Sequence, residues 1–130
     1  MSTTRTYSRL AGRYNSLAPF YIMSGTQEAI NAGDINVECY NSKMYTTDYS
    51  TELKLNNGLQ DGQLKKLTFA MKGSETANIV VKIPTLAESF SQIVFTNIGD
   101  QVLLMWNGGN WLVLETLNIT DPRLQSPVVR

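Results

Sequence analysis

The chain has no histidine in 130 residues and only one cysteine. Without an imidazole there is no serine or cysteine triad of the usual kind, no histidine-ligated zinc and no histidine pH switch. Cys39 has no second thiol with which to form an internal disulfide. With no imidazole to activate it, it reads as a small buried apolar residue. No apolar run approaches the roughly 18 residues of a membrane span, and the N-terminal residues lack the apolar stretch of a secretory signal, so no membrane partner is expected. The triplet Asn118-Ile119-Thr120 reads as a coincidental glycosylation sequon. Charge of one sign is missing as well: eleven Lys and Arg balance eleven Asp and Glu, which excludes a generally basic nucleic-acid binder. No Gly-rich phosphate loop and no calcium-loop spacing of acids occurs; Asp34, Asp61 and Asp100 read as turn residues, and no metal or cofactor is expected.

The length is that of one domain, and 42% hydrophobic residues suffice to fill one core. Charge is unevenly placed. Arg5, Arg9 and Arg13 precede the first acid, Glu28. Residues 1–18 are rich in Ser, Thr, Gly and Asn without sustained periodicity, and read as an arm that is either a solvated tail or one whose three arginines dock on a neighbouring acidic subunit.

From residue 19 the pattern has period 2. Ile35, Val37 and Cys39 alternate with polar residues, as do Leu53 and Leu55, then Leu67, Phe69 and Met71, then Ile79, Val81 and Ile83 before Pro84. Asn56-Asn57-Gly58, Asp61-Gly62 and Lys72-Gly73-Ser74 supply turns. Residues 85–90 are compatible with one helical turn. The firmest local signal is Gln101 to Glu115, two apolar runs about Asn107-Gly108-Gly109-Asn110. That composition predicts a hairpin pairing Trp106 with Trp111, Met105 with Leu112 and Leu104 with Val113. Both faces of this ribbon are apolar, so it is the central strand pair of a two-layer sandwich, a subunit interface with Leu104, Trp106, Trp111 and Val113 as the candidate residues, or a sugar-stacking tryptophan pair. Residues 117–130, stiffened by Pro122 and Pro127, read as an extended tail. Lys65-Lys66 near Phe69 is a weak nucleic-acid motif, because adjacent strand residues point to opposite faces; no nucleic-acid partner is expected.

The stretch Leu55-Asn56-Asn57-Gly58-Leu59-Gln60-Asp61-Gly62-Gln63-Leu64-Lys65-Lys66-Leu67, the strand Ile79 to Ile83, the stretch Gly99 to Trp106 and the closing Asn110-Trp111-Leu112-Val113-Leu114 together resemble a β-rich module of phage and large double-stranded DNA virus structural proteins. Tail-fibre, head-fibre and capsid-associated proteins contain such modules. The resemblance spans residues 50–116 and implies a compact β unit that often trimerises, in which a preceding segment anchors to the particle. It carries no catalytic residue.

The expectation is therefore an all-β chain: a single antiparallel sandwich or barrel-like domain over residues 19–116, an arm at 1–18 and a tail at 117–130. Its expected role is that of a non-enzymatic virion component, a minor capsid, decoration or fibre-type protein. It would assemble as a homo-oligomer, with a trimer favoured, and contact other capsid proteins. The alternative is a carbohydrate- or receptor-binding module using Tyr40, Tyr45 and Tyr49.

Overall fold

Side chains that alternate across an extended chain give each strand one apolar face, and two such faces stacked together form a core. The computed structural model describes residues 21–22, 27–118, 123 and 126–130, and the regular structure among them is all β. The strands are β1 (Tyr21–Ile22), β2 (Glu28–Ile30), β3 (Gly33–Asp34), β4 (Asn41–Tyr45), β5 (Thr51–Lys54), β6 (Gln63–Met71), β7 (Ile79–Lys82), β8 (Gln92–Phe95), β9 (Asp100–Trp106), β10 (Trp111–Asn118) and β11 (Val128–Val129). The first sheet runs β10-β9-β6-β4-β2, with β1 also paired to β6; the second runs β11-β8-β7-β5-β3. Arg5, Arg9, Arg13 and the whole expected arm lie outside the described residues.

The two sheets are mixed, which corrects the antiparallel expectation. From β2 to β7 the chain crosses to the opposite sheet after every strand, so each return to a sheet runs in the same direction. Strands β2, β4 and β6 are parallel, as are β3, β5 and β7. Three two-strand coils result. From β7 onward the pairings are antiparallel: β7 with β8, β6 with β9, β9 with β10 and β8 with β11. A strand with one buried face shows the same period-2 pattern in either direction, so alternation does not distinguish these arrangements. Nor do the sheets close into a barrel, since β2 and β10 border one and β3 and β11 the other.

The core lies between the layers. Met44, Leu67, Phe69, Val102, Leu104, Trp106 and Trp111 of the first sheet face Leu53, Ile79, Val81, Ile93 and Phe95 of the second. Each fully buried aliphatic or aromatic side chain of this kind contributes about 1.5–3 kcal/mol.

Three local expectations change. Residues 35–40 form a turn rather than a strand: the Asn36 side chain accepts the Glu38 amide at 2.8 Å, while Ile35 and Cys39 point into the core end. Residues 85–90 contain no helix. Leu86 makes a single bridge to Trp111, and Glu88 and Ser89 hold left-handed φ of 63° and 68°. The described end of the 117–130 segment is built into the domain, because β10 continues through Asn118 and Val128–Val129 pairs with Val94 and Ile93.

Candidate functional site

The β9–β10 hairpin has the anticipated register: Trp111 opposite Trp106, Leu112 opposite Met105 and Val113 opposite Leu104. Asn107 builds its loop, its side-chain oxygen accepting the Gly109 and Asn110 amides at 3.0 and 2.7 Å. A bulge between Val113 and Glu115 shifts the pairing but leaves Glu115 opposite Leu103 and Leu117 opposite Gln101.

The hairpin's two faces differ in their cover. On the inner face, Leu104 and Trp111 are fully buried and Trp106 is 6% exposed, while Val113 is half-buried against the same cluster. The indoles meet edge to face with centroids 5.3 Å apart, and Trp111 Nε1 donates to the Asn56 carbonyl at 2.8 Å. Gly58 lies flat on Trp106, where a Cβ would come within 2.3 Å of the indole. These four residues therefore hold the hairpin to its own domain and bring the Asn56–Gly62 loop onto it.

Among the described residues the outer face has no comparable cover, although Leu64 on it is 8% exposed. Three cross-strand rows run over β6, β9 and β10: Leu64, Met105 and Leu112; Lys66, Leu103 and Glu115; Thr68, Gln101 and Leu117. Leu103, Met105 and Leu112 are half-buried, and Leu114, Leu117 and Met71 are 45%, 37% and 58% exposed. Tyr40, Lys66, Gln101, Leu103, Glu115 and Leu117 line a shallow groove of about 130 Å³ on this face.

The three tyrosines do not converge. Tyr40 lines that groove, Tyr45 lies half-buried at the far end of β4, and Tyr49 is 80% exposed in the bend beyond it. At about 3.3 Å per residue, five residues of strand separate Tyr40 from Tyr45 by more than one aromatic contact.

A polar cluster lies where the apolar filling of the sandwich ends. Gln63 and Lys65 occupy inner-face positions on β6, and both are 0% exposed. Gln63 accepts the Leu59 amide and donates to the Val37 carbonyl, each at 2.7 Å. Lys65 Nζ donates to the carbonyls of Asn36 and Cys39 at 2.8 and 2.7 Å and to Ser42 Oγ at 2.6 Å, with Cys39 Sγ at 3.3 Å. Ser42 passes the interaction on, donating to Glu28 Oε1 at 2.6 Å. The two long side chains thus satisfy the carbonyls of the 36–39 turn, which would otherwise lack partners. Burial pushes the Lys65 amine below its ordinary 10.5, and the neighbouring Cys39 and Glu28 oppose that shift. Sequence reasoning placed Cys39 in the interior but missed Lys65. The available signal was two polar residues at alternate positions, 63 and 65, on the face that continues as Leu67 and Phe69.

A second network centres on Asp100, which is 0% exposed. Its Oδ2 accepts the amides of Thr96 and Asn97, both at 3.0 Å; its Oδ1 accepts Asn118 Nδ2 and Ser126 Oγ at 2.5 and 2.9 Å. Four donors saturate the carboxylate and join the β8–β9 turn, the end of β10 and the C-terminal segment. Asp34, expected in a turn, instead ends strand β3 and accepts from Asn56 Nδ2 at 3.1 Å; no group of three metal-ligating side chains occurs among the described residues.

Chemically, the outer face of the first sheet is suited to contact with another surface, whereas the Lys65 cluster is closed to substrate. No protein-family model matches this chain, and no curated protein matches it.

Proposed function

We propose that this protein is a non-enzymatic structural component of a virion, of the minor capsid, decoration or fibre type, that acts by self-association. A trimer is the favoured state. The observation that carries the reading is the outer face of the hairpin sheet, where Met105, its cross-strand partner Leu112 and the adjacent Leu103 are only half-covered beside exposed Leu114 and Leu117. Apolar residues grouped on one sheet face gain about 25 cal/mol for each Å² removed from water, and neighbouring copies arranged about a three-fold axis supply that cover. Lys66 and Glu115 on either side of Leu103 give the face both charges, so that the basic side of one copy can meet the acidic side of the next. The virion assignment rests on the resemblance across residues 50–116. Within it, Arg5, Arg9 and Arg13 are the proposed contacts to other capsid proteins.

Light scattering after size exclusion, over a concentration series, tests this proposal. A stable mass of three chains is the expected result, falling to one chain in the double variant Met105→Lys, Leu112→Lys while the β circular dichroism spectrum is retained. A strict monomer at high concentration overturns self-association. The Tyr40 groove, with Lys66, Gln101 and Glu115 around an aromatic ring, then makes carbohydrate recognition the better reading.

A further inference from the structure

The chain's single thiol is not isolated. Cys39 Sγ lies 3.3 Å from Lys65 Nζ, a separation at which sulfur and nitrogen need little movement to bond. Both atoms are held from several sides: Nζ by two carbonyls and Ser42 Oγ, and Sγ by the turn that places Cys39 at 1% exposure. The thiol cannot reach a second cysteine within the chain, and its burial disfavours a disulfide to another chain. Asn36 and Glu38, on the same turn, are exposed, so the sulfur lies just beneath the surface and a small oxidant reaches it through a local opening of residues 36–39.

We propose that Cys39 and Lys65 form a peroxide-driven covalent cross-link, a sulfenamide joining the 36–39 turn to strand β6. In the first step, the Cys39 sulfur attacks one oxygen of hydrogen peroxide. The O–O bond breaks, sulfur gains an OH group and loses two electrons, and the second oxygen leaves as water with the thiol proton. In the second step, the neutral Lys65 amine attacks that sulfur: the N–S bond forms, the S–O bond breaks, and hydroxide departs as water with a proton from nitrogen. Sulfenic acids condense in this way with backbone nitrogen, and a lysine nitrogen held against the sulfur is a closer and better nucleophile. Burial favours the neutral amine that the second step requires. A thiol reductant reverses the bond by attacking sulfur and releasing the amine.

The link closes a span of 26 residues and fastens the connection between the first and second coils to β6 of the third. Its test is intact-mass and peptide-map spectrometry of the full-length protein after titration with hydrogen peroxide. The expected product is about 2 Da lighter than the starting chain, yields one peptide pair joined at Cys39 and Lys65, and returns to the starting mass with dithiothreitol. Cys39→Ser and Lys65→Arg should each abolish it, the arginine variant keeping the positive charge. The wild-type result decides the matter even if a variant fails to fold. Sulfinic or sulfonic acid at Cys39 without a linked peptide, an intermolecular disulfide, a link that retains oxygen, or an unreacted thiol would each overturn the proposal.

Discussion

Lys65 sits where the pattern of its own strand demands an apolar side chain. Its charge is offset by Cys39, two turn carbonyls, the Ser42 hydroxyl and Glu28, yet burial outweighs them and much of its solvation is lost on folding. Because burial lowers its folded-state proton affinity from the ordinary 10.5, the unfolded chain binds more protons between the lowered value and 10.5. Stability therefore rises with pH through that alkaline window, and the full cost of burying the cation is present below it. The comparison with Lys65→Met isolates this contribution from other groups that titrate there. Denaturant unfolding at a series of pH values should show the wild type gaining on the variant as pH increases toward 10.5. Near neutrality the variant should be destabilised by about 1–3 kcal/mol, because three acceptors lose their donor; a difference independent of pH would contradict the assignment. The only trace in the sequence was Gln63 and Lys65 standing at alternate positions on the face that continues as Leu67 and Phe69. The two lysines at 65 and 66 read as one weak motif, and only the turn folded over β6 distinguishes the buried residue from the one on the outer face.

At the scale of elements, the hairpin was the most legible part of the chain because its signals are local. Asn107-Gly108-Gly109-Asn110 sets the turn, with Gly108 at a φ of +93°, and the flanking apolar runs then fix the register. Residues 35–40 misled for the opposite reason: Ile35 and Cys39 are buried by a loop lying across the core end, and burial in a loop imitates strand alternation. The assignment of the two tryptophans depended likewise on a distant element, the Asn56–Gly62 loop that covers them. Trp111→Ala should accordingly cost about 3–5 kcal/mol in denaturant unfolding, and Trp111→Phe, which loses the bond to the Asn56 carbonyl but keeps a ring, about 1–3 kcal/mol. Equal losses would mean that the indole N–H and the ring's shape outweigh apolar filling. As for the outer face, its apolar residues were visible in the sequence as the second apolar side of the ribbon, but which side the domain keeps for itself depends on tertiary packing.

For the whole molecule, the sequence indicated the all-β class but not the winding. Parallel return requires the chain to cross the core between neighbouring strands, and the pairing of Ser42 with Leu67 or Leu53 with Val81 leaves no local trace. The coils also have no fixed period, so no internal repeat marks them. Strand length grows along the first sheet from three residues in β2 to five in β4 and nine in β6. Hydrogen exchange should follow that gradient: amides of β2 and β3 should exchange orders of magnitude faster than those of Leu67, Val102 and Leu104. Uniform protection would show that the coils open only together.

The taper turns geometry into timing. Glu28 and the 36–39 turn, which enclose Cys39 and Lys65, belong to the narrow end, where the fewest ladder bonds resist separation. Encounter between peroxide and sulfur is then scaled by the fraction of time that end stands open, so loosening the first coil should speed the oxidation of Cys39 at any given peroxide concentration.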